Sequence, residues 1–170
     1  MIFSNLTELS KYRELIAAFT AREIKVRYKQ TILGSSWAIL QPLALTIIFT
    51  LVFALFLKIQ SGSVPYPIFA YSALLPWTFF TTSVGFGSLS VVNNSSLVTK
   101  IYFPRETLPI SSIIAAFFDF LIATIIFLIM MIYYKIVPTY NILYLFILIP
   151  SIFSFTLGVT LFLSTLNVIF

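Results

Sequence analysis

Side chains that could carry acid–base, metal or thiolate chemistry are scarce in this 170-residue chain. It has five acidic residues, no histidine and no cysteine, so the commonest general base, the commonest metal ligand and every thiolate are missing. None of its five glycines begins a GxxxxGK loop followed by Ser or Thr, the cradle that holds nucleotide phosphates. The sequence therefore predicts a protein that is not an enzyme, has no metal site and binds no cofactor of its own.

Asp119 is the one charged residue inside a long apolar segment, 109–133. An aspartate near the centre of a bilayer costs about 2.5–3.5 kcal/mol, so this side chain should face protein or water. Ser112, Ala116 and Ala123 share its face at helical spacing, which indicates close packing against another helix. Three roles stay open: a structural hydrogen bond to a neighbouring span, which we favour, a channel-lining polar group, or a proton relay.

The composition places the chain in a membrane. Sixty per cent of the residues are hydrophobic, 9% are charged and the mean hydropathy is +1.06, which excludes a soluble globular core. Each long apolar segment supplies the roughly 20 residues that a hydrocarbon core demands. The predicted fold is a single all-α integral membrane domain, residues 1–170, with four transmembrane helices at about 36–57, 66–91, 109–133 and 141–166.

The second of these segments is the ambiguous one. Pro65, Pro67 and Pro76 interrupt it, and it carries no charge. We predict one helix kinked near Pro76, with a re-entrant segment as the alternative.

The basic residues predict the orientation. With the N-terminus inside, eight of the ten basic residues are cytoplasmic, so both termini are expected in the cytoplasm. The net charge of +5 is then explained by the membrane surface, and nucleic acid is not an expected partner. Residues 8–30 predict an amphipathic interfacial helix with apolar positions at Leu9, Tyr12, Ile16 and Phe19. Its basic end, the candidate channel entrance, comprises Arg22, Lys25, Arg27 and Lys29.

The cytoplasmic loop 93–109 mixes aromatic and charged residues, and we expect Tyr102 and Phe103 to be exposed anchors that dock into the groove of a partner protein, with Arg105 as a hydrogen-bonding fork. The alternative is a plain turn at the membrane surface. The candidate docking residues are Lys100, Tyr102, Phe103, Pro104, Arg105 and Glu106.

One face of the second segment alternates hydroxyls and aromatic rings. Such a surface could let a sugar chain slide along it, or it could simply let helices pack closely. The residues of this candidate substrate path are Ser72, Phe79, Ser83, Phe86 and Ser90.

Two blocks, REIKVRYKQTILGSSWAILQPL at 22–43 and LVTKIYFPRE at 97–106, resemble the permease subunit of ABC-2 type polysaccharide exporters. This family exports O-antigen, capsule and teichoic acid. The resemblance implies a multi-pass subunit of a bacterial or archaeal inner or plasma membrane that works as a homodimer with two copies of a separate ATPase. ATP and Mg would be bound by that partner. The resemblance also implies that 97–106 contacts the ATPase and that 22–29 lies near a lipid-linked substrate. Family members continue with two further spans, so we expect these 170 residues to be a partial domain.

The predicted function is therefore the membrane subunit of an ATP-driven exporter of a lipid-linked polysaccharide. One alternative is an ABC-2 permease for a drug or a lipid. Another is a non-transport membrane protein or a membrane-embedded lipid–sugar enzyme, which would need the clustered acids, histidines or metal site that this chain lacks.

Overall fold

The computed structural model describes residues 12–29, 37–58, 62, 64–137 and 139–169. Within these ranges all regular structure is helical, which confirms the all-α prediction. The elements in chain order are α1 (Arg13–Lys29), α2 (Trp37–Phe49), a π-helical segment (Thr50–Phe56), α3 (Tyr66–Asn93), α4 (Ser95–Lys100), α5 (Thr107–Tyr133), a 3-10 helix (Tyr140–Tyr144) and α6 (Leu145–Ile169). Residues 8–11 and 30 of the predicted interfacial helix, and 30–36 of the first sequence block, lie outside the described residues.

Two of the described helical stretches, Thr107–Tyr133 and Ile142–Val168, are long and apolar enough to cross a membrane. A shorter apolar stretch, Leu40–Ala54, lies in the region predicted as the first span. Helix α3 has 28 residues, but its serines, threonines and prolines lower its hydropathy. Two candidate spans are therefore established, whereas the count of four and the orientation of the termini remain predictions.

Helix α3 runs without a break from Tyr66 to Asn93 and contains Pro76 in its interior. Pro65 precedes the first turn and Pro67 lies within it, where a missing N–H removes no helical hydrogen bond. The second apolar segment is accordingly one continuous helix, as predicted, rather than a span followed by a separate segment.

Helix α3 is the centre of the bundle and packs against α2, α5 and α6. Its contact with α6 is close, because a Cβ added to Gly87 would lie 2.3 Å from the Thr160 methyl carbon. Small side chains line the contacts among α3, α5 and α6, which lets the backbones approach as they do in membrane proteins. The buried small residues of these three helices include Ser83, Ser90, Ser111, Ser112, Ala115, Ala116, Thr156, Thr160 and Ser164.

Aromatic rings fill the middle of the same bundle. Phe79 is only 3% exposed and contacts three other rings, those of Phe117, Phe120 and Phe153. Further along α3, the Tyr71 hydroxyl donates a hydrogen bond of 3.0 Å to the Ala123 carbonyl of α5. These contacts hold α3 and α5 in one register.

Candidate functional site

A cavity of about 700 Å³ lies between α1, the start of α2, α3 and α5. Part of its wall is charged or capable of hydrogen bonding, and part is apolar. The polar lining comprises Arg22, Glu23, Arg27, Tyr28, Gln41, Thr78, Thr82, Asn93, Asn94 and Asp119. The apolar lining comprises Val26, Pro42, Phe79, Phe86, Ala116, Phe120 and Ala123.

The charged centre of this cavity is an ion pair between α1 and α5. The Nη1 atom of Arg27 donates to the Oδ2 atom of Asp119 at 2.9 Å, and the two side chains are 12% and 23% exposed. The Nη2 atom of Arg27 donates to the Ser112 carbonyl at 3.4 Å. The same guanidinium lies 4.3 Å from the centre of the Phe86 ring, within the range of a cation–π contact.

Tyr28 completes the arrangement by donating its hydroxyl to the second carboxylate oxygen of Asp119. Its pKa is raised above the ordinary value, first by burial, then by the hydrogen bond to Asp119 and by that residue's negative charge. The phenol therefore stays protonated and keeps donating at physiological pH. Arg27 and Tyr28 are consecutive residues in the last turn of α1, so this one turn supplies donors to both oxygens of one carboxylate.

This geometry changes the expectation for Asp119. We favoured a hydrogen bond to a neighbouring span, but the hydrogen-bonding partners are Arg27 and Tyr28 of the helix predicted to lie at the interface. The carboxylate also lines the cavity, so Asp119 makes a structural contact between two helices and is a polar group of the cavity wall at the same time. The physical reason is that α1 packs along α5, which brings a cation to a carboxylate that would otherwise lack one.

The four basic residues predicted at the channel entrance separate into two pairs. Arg22 and Arg27 line the cavity. Lys25 and Lys29 are exposed and do not line it.

The residues of the predicted docking loop differ in how far they are buried. Tyr102 is 97% exposed, and Lys100 and Arg105 are exposed as well. Phe103, by contrast, is only 8% exposed, and its ring centre lies 5.7 Å from that of Phe19 in α1. The prediction that both aromatics are exposed anchors is therefore wrong for Phe103.

The remaining loop residues, Pro104 and Glu106, are of intermediate exposure. The segment predicted as a loop also contains the short helix α4, and α5 begins at Thr107 rather than near Pro109.

The candidate substrate path does not form one exposed track. Phe79, Ser83 and Ser90 are buried, whereas Ser72 and Phe86 are exposed. Close helix packing accounts for the two buried serines. The two phenylalanines both line the cavity, so the aromatic members of the set are the ones that reach it.

Sequence reasoning missed several of the lining residues. Three of them, Tyr28, Gln41 and Pro42, lie within the first sequence motif, residues 22–43. Membership of that motif was the one feature of the sequence that could have pointed to them. Asn93 and Asn94 line the cavity from the end of α3, and the sequence placed them only in a loop. Among the described residues, no three acidic side chains lie close enough together to hold a metal ion.

In the part of the chain that the structure describes, all regular structure is helical and two stretches are long and apolar enough to cross a membrane, which is compatible with a membrane protein. The protein-family models that were compared do not match the chain. Three curated relatives do match it, and all three carry the same name.

The chain is 31% identical over 164 residues to the O-antigen export system permease protein RfbA of Myxococcus xanthus, covering 96% of this chain and 62% of the relative. Two proteins of that name from Klebsiella pneumoniae are 29% and 28% identical over 158 residues, in each case covering 92% of this chain and 60% of the relative. The resemblance to export permeases is thereby confirmed over nearly the whole chain. The chain spans about 60% of the length of these relatives.

Proposed function

We propose that this chain is part of the membrane subunit of an ATP-driven exporter, and that its substrate is a lipid-linked polysaccharide. The observation that carries the proposal is the cavity, because it combines a charged and amide-rich wall with an aromatic one. The relatives named as O-antigen export permeases support the same assignment.

The cavity suits an amphiphile with a hydrogen-bonding head. Its lining on α3 extends from Thr78 to Asn93, about 22 Å of helix at 1.5 Å per residue. Arg22 of α1 and Asn93 at the end of α3 offer donors, while Phe79 of α3 offers an apolar face. A phosphate-linked sugar would use the donors, and its lipid would use the apolar wall and the surrounding bilayer.

The finer points of the proposal concern topology and partners. We propose four spans in this chain, both termini in the cytoplasm, and an inner or plasma membrane location. We also propose a homodimer with two copies of a separate ATPase that binds ATP and Mg. Exposed Tyr102 and Arg105 support an ATPase contact on 97–106, because a protruding aromatic ring beside a guanidinium suits a partner's groove.

The experiment is an export assay in cells that carry the complete gene and its neighbouring ATPase gene. Without the permease, lipid-linked polysaccharide should accumulate inside the cell, and the native gene should restore its appearance outside. Normal surface polysaccharide in the deletion strain would refute the function.

In the same assay, Arg105→Glu should lower export about tenfold, because a reversed charge at a docking surface weakens the partner's contact. Lys135→Glu is the matched control, since it makes the same charge change at an exposed position on the connection between α5 and α6. Both variants should insert into the membrane at native levels. Unaltered export by the Arg105 variant would remove the docking role of 97–106 while leaving the export function standing.

A further inference from the structure

Helix α1 is attached to the bundle at two separated places. In its first half, Leu15 and Phe19, together with Tyr12 just before the helix, pack against a cluster of three buried residues, Val91, Phe103 and Leu108. Near its end, Arg27 and Tyr28 bind Asp119. The two attachment points are eight residues apart on α1, about 12 Å along the helix axis.

Between these points α1 packs along α5 but buries little of its own surface. It has no fully buried residue, although it forms one wall of the cavity. Thr20 directs its hydroxyl mainly to its own helix, at 2.8 Å from the Ile16 carbonyl, and only marginally to the Ser111 carbonyl of α5 at 3.5 Å. Elements with few buried contacts open at low free-energy cost, so α1 is the wall of this cavity that can move.

The attachment near Phe19 includes Phe103, and the residue that precedes Phe103 in the chain is exposed. Phe103 is buried on α1, and the adjacent residue, Tyr102, is almost fully exposed. A partner protein that binds and pulls Tyr102 would therefore also pull the next residue, Phe103, whose ring contacts α1. Helix α1 is continuous from Arg13 to Lys29, so a displacement of Phe19 is passed to Arg27.

We propose that α1 is a lid on the cavity, and that the segment 101–104 opens it by drawing Phe103 away from Phe19. As α1 shifts, Arg27 and Tyr28 leave Asp119, and the wall of the cavity that they form opens. The lid recloses because the free energy of the open state is raised by the carboxylate of Asp119, which lies in the apolar helix α5 and has lost its cation there. Only the identity of the partner that displaces the segment rests on the proposed function.

The lid can be tested without an ATPase and without polysaccharide, in vesicles that contain the full-length protein. The 170 residues hold no cysteine, so Thr82→Cys places a single reporter thiol in the cavity wall within this chain. The measured quantity is the rate at which a water-soluble maleimide labels this thiol. Phe103→Ala should raise that rate about fivefold or more, the usual size of coupling between two sites.

Tyr102→Ala is the matched control, because it truncates the neighbouring aromatic ring where that ring touches solvent rather than α1. It should leave the rate within about twofold of native, and so should Phe103→Leu, which retains an apolar side chain against Phe19. Asp119→Asn, which weakens the other attachment, should raise the rate as Phe103→Ala does.

Two results would overturn the proposal. If Phe103→Ala leaves the rate unchanged while Asp119→Asn raises it, the two ends of α1 act independently. If Phe103→Ala also raises labelling of Thr156→Cys, which is buried on α6, the bundle has loosened as a whole and α1 is not a separate lid. The labelling assay can support the lid even if the protein exports no polysaccharide, and the export assay can succeed even if α1 does not move. Each assay therefore refutes its own hypothesis and leaves the other standing.

Discussion

The two ends of the helical bundle are built differently. One end, the α1 end, comprises α1, the last part of α3, α4, the first part of α5 and the last part of α6. The other end, the far end, comprises the last part of α5, the 3-10 helix Tyr140–Tyr144 and the first part of α6. Thr107 and Ser111 at the α1 end are 0% and 1% exposed, whereas Tyr140 and Phe146 at the far end are 90% and 79% exposed.

The kinds of contact differ as well. At the α1 end an ion pair, several buried hydroxyls and a glycine against a threonine define one arrangement of the helices. At the far end the aromatic contact of Tyr133 with Tyr134 is between neighbours in sequence, and Lys135, two residues beyond the end of α5, has a positive φ of 54°. Exposed tyrosines there suit a membrane–water boundary. Specific polar contacts thus hold the α1 end, whereas the described side chains of the far end are largely exposed hydrophobic and aromatic ones.

The largest effect is expected where α3 and α6 approach most closely. Gly87→Leu should destabilise the protein by about 3 kcal/mol or more, the upper end for overpacking, because the new side chain has no space beside Thr160. Gly85→Leu is the matched control, since a Cβ at that position meets nothing within 4 Å. Thermal unfolding in detergent should show a lower midpoint for the first variant and an equal or higher one for the second. Equal losses would mean that this contact does not define the α1 end.

The next effect concerns the ion pair. Asp119→Asn should destabilise the protein by about 1.5–3 kcal/mol, because the charge-assisted hydrogen bonds from Arg27 and Tyr28 are weakened. Combining it with Arg27→Gln should cost clearly less than the sum of the two single changes, since the residues act as a pair. A double-mutant cycle on unfolding free energies measures this. Additive losses would show that the pair contributes nothing specific to the α1 end.

The smallest effect is expected at the far end. Tyr140→Ala should change the unfolding free energy of the protein by no more than about 0.5 kcal/mol, because its side chain makes few contacts within the chain. The same unfolding measurement checks it. A loss as large as that of Asp119→Asn would contradict the comparison, because it would show that the far end is also held by specific contacts.

Much of the fold was predictable from the sequence because hydropathy and length decide it. The apolar segments 109–133 and 66–91 correspond to α5, Thr107–Tyr133, and α3, Tyr66–Asn93. The two sequence motifs also predicted the relatives that the comparison found. These features depend only on residues near one another in the chain, so a single sequence is enough to reveal them.

The cavity was not predictable in the same way. Its central pair, Arg27 and Asp119, is separated by 92 residues, and no local pattern says which face of α1 meets α5. The burial of Phe103 beside exposed Tyr102 is another case, because adjacent aromatic residues in a loop look alike in sequence.

Hydropathy and the two motifs were thus enough to predict a membrane protein, its helical segments and the family it resembles. The folded arrangement was needed to show that a basic helix predicted to lie at the membrane interface is joined to Asp119 and forms one wall of a cavity. The physical reason is that hydropathy is a property of each segment, whereas ion pairing and close packing depend on how segments distant in the chain are brought together.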